Sequence, residues 1–419
     1  MLELADRLWD GREPIESHHP VGFTGELAVL ADGVAFLPSF ANVTAFETED
    51  GLVLIDTGGF LLADHVHAQL REWTDQPLHT AIFTHGHVDH VFGVGPFEAE
   101  AAGRGVPAPR VIAHENVPRR FARYALTAGY NGVINARQFG LPELTFPADF
   151  RAPDQTYTEE LAFEVGGERF ELHHAKGETD DHTWTWVPGR RILCCGDLFI
   201  WATPNAGNPQ KAQRHPREWA QALRGMAELG AEMMLPGHGP PLVGADRVRA
   251  ALTDTAALLE SLVEQTLGLM NEGASLDRVL HSVRAPEELL AKPYLRPVYD
   301  EPEFIVRNLW RLYGGWYDGD PSRLKPAPAR QLASELAAMA DGPERLASRA
   351  RELAEEGELR LAGHLAELAA QADPGLDAAQ EARAEVNERR ADTEASTMAR
   401  GVFSWAAAES RRALEETDP

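Results

Sequence analysis

Between Leu27 and about Phe199 the chain alternates short apolar runs with turn signals. The stretch "GVAFLPSFANVTAFETEDGLVLIDTGG" holds runs of Val, Phe, Thr and Leu split by "EDG", which predicts strands joined by a turn. Its last part, "VLIDTGG", reads as a buried strand ending at a glycine pair. In "FLLADHVHAQLREWT" the apolar residues recur at helical spacing. "TAIFTHGHVDH" then reads as strand into loop. The repeated β-then-α order predicts an α/β fold with helices packed on sheets.

After "GHGPPLVG" the period changes. Residues 246–284 read as long helices, as in "VRAALTDTAALLESLVEQTLGLM". A Pro-rich link, "DGDPSRLKPAPARQ", leads into an Ala-, Glu- and Arg-rich region from Arg330 to Leu414. Breaks at "DGP" (341–343), "EEG" (355–357) and "ADPG" (372–375) divide that region into about five helices with short turns. The expected organisation is an α/β domain over residues 1–245, a helical connector over 246–325 and an all-α domain over 326–419.

Composition narrows the classes. The 419 residues carry a formal charge of −26 and 44% hydrophobic residues, so a large folded core is expected and broad binding to a phosphate backbone is not. The two cysteines, Cys194 and Cys195, are adjacent and so ill-placed to bridge each other. With no disulfide framework, no basic-then-apolar leader and no apolar run of about 18 residues, a cytoplasmic protein without a membrane span is expected.

The chemistry concentrates in "AIFTHGHVDHVFG". His85 and His87 are two apart, and alternate residues at a strand end point the same way, so both imidazoles can face one point. Asp89 and His90 can face a second point nearby. Imidazole nitrogen and carboxylate oxygen are usual zinc ligands, and the absence of sulfur suits a catalytic rather than a closed structural site.

"THGHVDH" resembles the signature of the metallo-β-lactamase superfamily. The resemblance implies an αββα sandwich with a dinuclear metal site at one edge of its two sheets. It also implies further ligands downstream, and the chain has candidates in order. "LCCGDLF" offers Asp197 as a bridging carboxylate, "LPGHGPP" offers His238, and "GETDDHTWTW" places Glu178 where a histidine is usual, with His174 and His182 as competitors for that role. Asp56 matches an aspartate that orients the site from behind the ligands. So read, His85, His87 and Glu178 serve one metal, Asp89, His90 and His238 a second, and Asp197 joins them. Two Zn²⁺ per chain, or other divalent metals, are the implied cofactors.

Glutamate at position 178 resembles the zinc-dependent alkylsulfatases of this superfamily. "EFIVRNLWRLYGGWYDGDPSRLKP" (303–325) is similar to the start of their dimerisation domain, and "LAEEGELRLAGHLAELAAQADP" to its body. The implied partners are a small anionic ester substrate and a second copy of the chain, paired through the C-terminal helices. Two departures stand out. The bridging residue is Asp197 in "GDL" rather than glutamate in "AEN", and the sterol-carrier-like domain of larger relatives is not expected within the residues up to Pro419.

Donors for a sulfate ester's oxygens are expected in "TAGYNGVINARQFG" (Tyr130, Asn131, Asn135, Arg137) and "TPNAGNPQKAQRHP" (Asn205, Asn208, Lys211, Arg214). Trp310, Tyr313, Trp316 and Tyr317 are expected to pack in a core or a dimer contact. Asp89 and His182 are the candidate catalytic side chains, His182 as a positioning group or as proton donor to the leaving oxygen. Cleavage at S–O and at C–O both remain open. Competing readings are a phosphoester, lactone or thioester hydrolase, a di-iron redox protein and a non-catalytic helical interaction protein.

Overall fold

The computed structural model describes residues 1–22, 25–143 and 145–417. It divides into two compact units, residues 1–128 with 146–315 and residues 129–145 with 316 onward.

The first unit is built on two sheets. One has seven strands in sequence order: β1 (Ala28–Ala31), β2 (Val34–Leu37), β3 (Val43–Thr48), β4 (Gly51–Ile55), β5 (Leu78–Ile82), β6 (Arg110–His114) and β7 (Gln155–Tyr157). The other runs β13-β12-β11-β10-β9-β8, with β8 (Glu160–Val165), β9 (Glu168–Ala175), β10 (His182–Val187), β11 (Ile192–Gly196), β12 (Met233–Pro236) and β13 (Leu242–Val243). β4, β5 and β6 run parallel to one another, as do β11 and β12.

Three apolar layers hold this unit. Between the sheets lie Phe36, Phe46, Val53, Ile82, Phe170, Ile192 and Leu235. On the outer face of the first sheet, Leu54, Ala81 and Val111 meet Val66 and Leu70 of helix Ala63–Trp73 and Phe97 of helix Gly95–Arg104. Val66 and Leu70 are four apart and so share a helix face. On the outer face of the second sheet, Leu193 and Met234 meet Trp219, Leu252 and Leu259 from helices Pro216–Glu228 and Ala245–Asn271. Helices thus cover both sheets. β4, with both faces covered, is buried at every position and reads as an unbroken apolar run, whereas β8 alternates exposed and half-buried residues.

Residues 246–315, expected as a connector, contribute Leu252, Leu259, Val279, Ile305 and Leu309 to this same outer core. Trp310 packs against it while Tyr313 is exposed.

The second unit contains five C-terminal helices: Ala329–Met339, Pro343–Glu355, Leu359–Ala372, Asp377–Thr393 and Thr397–Thr417. Gly342 and Gly357 take left-handed φ at two of the breaks, where a side chain would be strained. Alanines dominate the buried positions, among them Ala347, Ala350, Ala366, Ala369 and Ala382. Trp316 and Tyr317 belong to this unit and are exposed. The segment 129–145, expected within the α/β domain, groups here, and "AGYNGVINARQF" is the helix Ala128–Phe139. Among the described residues no helix is long and apolar enough to cross a membrane.

Candidate metal centre

The candidate ligands sit at strand ends of the first unit. β4 ends at Asp56, and β5 leads through Phe83 and Thr84 into the loop that carries His85, His87, Asp89 and His90. Glu178 lies in the β9–β10 turn, Asp197 just after β11, and His238 just after β12. The two sheets are tied together here. The Asn42 side-chain amide donates to the carbonyls of Pro236 and Gly239, at 3.0 and 2.8 Å, and Thr183 N–H donates to Thr84 O at 2.6 Å.

Two groups of donors form. His85, His87, Glu178 and Asp197 make one, and Asp89, His90 and His238 make the other. In the first, His85 Nε2 and His87 Nδ1 lie 2.7 Å apart, and each is 3.8 Å from Glu178 Oε2. In the second, Asp89 Oδ2 is 3.6 Å from both His90 Nε2 and His238 Nε2. Asp197 reaches both groups, with Oδ2 3.8 Å from His85 Nε2 and 3.3 Å from His238 Nε2, and Oδ1 3.5 Å from His90 Nε2.

The residues fit a metal pair. His90 Nε2, Glu178 Oε2 and Asp197 Oδ1 are buried and lack any hydrogen-bond partner. Orphaned buried polar atoms are costly, and three aimed at one region imply an occupant. Gly237 keeps the region open, since a Cβ there would sit 2.1 Å from Asp197 Oδ1. Glu178, rather than His174 or His182, joins the donor group. His174 instead stacks on His114, with ring centroids 3.7 Å apart.

His90, Glu178 and Asp197 are held from behind. Asp56, at φ 59°, accepts from Thr84 N–H at 2.7 Å and Thr84 Oγ1 at 2.8 Å, and its Oδ2 lies 2.7 Å from His90 Nδ1. That contact fixes the His90 tautomer with Nε2 facing the site. Glu178 Oε1 accepts from Asn205 Nδ2 and pairs with Arg214 at 3.2 Å, and Arg214 Nη1 also donates to the Glu178 carbonyl at 2.5 Å. Asn205 and Arg214, expected as donors to an anion, are therefore engaged on Glu178. His182 Nε2 accepts the Asp197 N–H at 3.1 Å, and its ring stacks on His85. Burial drives His182 down to about 4, so it is neutral at physiological pH with its Nε2 lone pair in use. A neutral ring so placed orients Asp197 and is a poor proton donor through that nitrogen.

The electrostatics sort the donors. Burial, helped by His90 and His87 for His85 and by Arg214 and Arg120 for His87, holds both imidazoles well below the usual histidine range. Burial also works against charge on His90, yet Asp197, Asp56 and Asp89 outweigh it and push His90 well up. The Asp197 carboxyl is held well below the usual range because His238 and His90 overcome its burial. Burial drives Glu178 well up despite Arg214.

Other expected residues fall in two places. Lys211 feels Arg214, Asp89 and Glu178, and burial brings it down to about 7. Tyr130, Asn131, Asn135 and Arg137 belong to the second unit, where Tyr130 is exposed and Asn135 Nδ2 donates to Asn131 O at 2.8 Å. Sequence reasoning missed three groups. Asp181 Oδ2 accepts the N–H of Gly86, between the two first histidines, at 3.0 Å and pairs with Arg120 Nε at 2.9 Å. Tyr124 lies beside His87, with ring centroids 6.4 Å apart. Asp300 accepts the N–H groups of Gly207 and Glu301, at 2.5 and 2.8 Å, and that of Asn208 at 3.2 Å. None of the three carries a local spacing signal, although "DDH" stood beside Glu178.

Asp300 straps the loop that bears Asn205, and burial pushes its carboxyl up to about 7. An acid with a folded-state value above the ordinary unfolded value near 3.8 stabilises most below about pH 4 and loses that contribution as pH rises toward 7. Asp300→Asn is expected to flatten the fall in melting temperature of the metal-free protein between pH 4 and 8. An unchanged slope would show that Asp300 does not carry it.

Residues 37–238 match the metallo-beta-lactamase superfamily, and residues 275–413 match the alkyl sulfatase dimerisation family. The two matches give the chain a metallo-beta-lactamase-like region followed by an alkyl-sulfatase-dimerisation-like region. The second match and the curated relatives point the same way, toward alkylsulfatases. The chain is 27% identical to a linear primary-alkylsulfatase from Pseudomonas sp. over 78% of this chain and 66% of that relative. It is 25% identical to an (R)-specific secondary-alkylsulfatase from Pseudomonas sp. over 90% of this chain and 61% of that one. The chain thus spans slightly less than two thirds of these relatives' own length. The solved structure of a stereoselective inverting sec-alkylsulfatase from Pseudomonas sp. superposes with a TM-score of 0.83 at 23% identity, covering 94% of this chain and 66% of that one, which shows the shared fold.

Proposed function

We propose that this protein is a metal-dependent sulfuric ester hydrolase that cleaves an alkyl sulfate to an alcohol and sulfate. The observation that carries the reading is the reach of Asp197 to both donor groups, with His90 Nε2, Glu178 Oε2 and Asp197 Oδ1 buried and unpartnered among them. His85, His87, Glu178 and Asp197 would hold one Zn²⁺ or similar divalent ion, and Asp89, His90 and His238, again with Asp197, a second. Bound there, such ions supply a water acidified toward neutral pH and a Lewis-acidic seat for the ester oxygens.

The chain's own residues supply the rest. Neutral His85 and His87 offer lone pairs without first losing a proton. Asn205 and Arg214 occupy Glu178 Oε1 and so leave Oε2 facing the site. His182 and Asp56 fix Asp197 and His90. Lys211 offers an N–H donor for an ester oxygen, and Asp89 would accept a proton from a water at the site. Tyr130, Asn131 and Arg137 remain proposed substrate contacts without a place in this donor cluster. A homodimer through the C-terminal helices is part of the proposal. It is supported by the dimerisation match and by the exposed Leu332, Met339 and Leu361. A cytoplasmic setting is proposed too, on the strength of two free, buried cysteines.

The test pairs metal analysis with sulfate release from short primary and secondary alkyl sulfates, comparing wild type with Glu178→Ala. About two divalent ions per chain are expected, with a loss of at least about 100-fold in turnover in the variant. Metal without sulfate release would redirect the assignment to phosphoesters, lactones or thioesters. Isotopically heavy water settles the bond cleaved, since the label enters sulfate on S–O cleavage and the alcohol on C–O cleavage.

A further inference from the structure

Within the second unit, helix Ala128–Phe139 and the last three helices enclose a cleft of about 300 Å³. Its walls combine charge with aromatic surface. Arg137, Arg383 and Arg390 face Glu367 and Glu409, while Val402, Phe403 and Trp405 provide the apolar side. The charges are not evenly matched. Arg383 pairs with Glu367 at 2.7 Å and with Glu409 at 3.3 Å, and it also donates to Ser410 Oγ at 3.0 Å. Glu409 additionally accepts the Trp405 indole N–H at 2.8 Å. Both carboxylates of the cleft are therefore engaged.

Arg390 is the unmatched group. Its guanidinium lies 3.8 Å over the Phe403 ring, and among the described residues it has no hydrogen-bond or ion-pair partner. The charges it feels are more distant, from Glu394, Glu367 and Arg360, and burial works against its charge. A guanidinium held over an aromatic ring can still present N–H groups to a planar oxyanion.

The helices make room for this arrangement at some cost. Glycine inside a helix is worse than alanine by about 1 kcal/mol. Gly363 lies inside helix Leu359–Ala372, and a Cβ there would meet Arg390 Nη1 at 2.3 Å. Gly401 lies inside the last helix, and a Cβ there would meet Gln138 O at 2.1 Å. One glycine admits the arginine and the other admits the helix that brings Arg137.

We propose that this cleft binds a small amphiphilic anion, with an oxyanion head on the Arg390 guanidinium and a short apolar tail along Phe403, Trp405 and Val402. The cleft contains none of the candidate metal ligands, and Arg390, Phe403, Trp405 and Val402, on which the proposal rests, have no role in the hydrolytic reading.

The test is calorimetric titration of the full-length protein with sodium octanoate, and with 1-octanol as the uncharged match. Saturable octanoate binding is expected, weakened about ten-fold or more in Arg390→Gln, with wild-type helicity retained. Octanoate bound only at the metal centre would be indifferent to Arg390→Gln, so equal binding by the two proteins overturns the proposal, as does no saturable binding at all. Should Arg390→Gln fail to fold, the wild-type comparison decides, because octanol binding as tightly as octanoate excludes a charged head site.

Discussion

Asp197→Ala is expected to disable both donor groups at once and to lower turnover by at least about three orders of magnitude. Asp197 is the side chain within reach of both groups, 3.5 Å from His90 Nε2 and 3.3 Å from His238 Nε2. Its charge is also the main influence holding His90 and His238 above the usual histidine range against their burial. Without it the second group keeps two imidazoles and Asp89, and the first loses a carboxylate beside an arginine-paired glutamate. Metal analysis and sulfate release are expected to fall together. Asp197→Asn, which keeps the shape and removes the charge, is expected to retain at most a fraction of the metal. Wild-type metal content in Asp197→Ala would remove the bridging role from this residue.

Arg120→Ala is expected to cost about 3–5 kcal/mol in stability, the usual penalty for orphaning one half of a buried ion pair. Arg120 is 6% exposed and Asp181 0%, so solvent does little to screen the pair. Asp181 then faces the Gly86 N–H alone, in the turn between His85 and His87. The same substitution is therefore expected to weaken metal binding although Arg120 touches no metal ligand in the described contacts. Denaturant titration of the metal-free protein reads the first effect, and metal affinity the second. Arg120→Met combined with Asp181→Asn, which removes both charges, is expected to recover part of the stability. A melting temperature unchanged in Arg120→Ala would show that the pair carries no such load.

The candidate donors were legible because they announce themselves locally. His85, His87, Asp89 and His90 crowd one loop at a strand end, and Asp197 and His238 follow apolar strands directly. Glu178 could be separated from His174 and His182 only in three dimensions, where the β9–β10 turn brings it to His85 and His87 and leaves His174 stacked on His114. Groups that work in pairs across the fold were not legible. Asn205 reaches Glu178 from 27 residues away and Arg120 reaches Asp180 from 60, and no spacing rule encodes either. The helical state of the segment from Thr127 to Gly140 was not legible either, because Gly129 and Gly132 punctuate a stretch that nonetheless forms the helix Ala128–Phe139. Gly-containing turns mark the first three breaks among the five C-terminal helices, whereas the last, at residues 394–396, holds no glycine and carries no such signal.

The strap on the Asn205 loop bears on where this protein can be divided. Thr203 donates to the carbonyls of Arg296 and Leu295, at 3.0 and 2.7 Å, and Asp300 holds Gly207 and Asn208. The lactamase-like strands end at Val243, yet the backbone that steadies Asn205, and through it Glu178, is anchored more than fifty residues later. A fragment cut after the last strand would retain every candidate ligand and lose the anchor of one. Grafts, fusions and split versions of this enzyme fold should therefore place their junction beyond Gly315, and a transplanted catalytic module has to carry its helical extension with it.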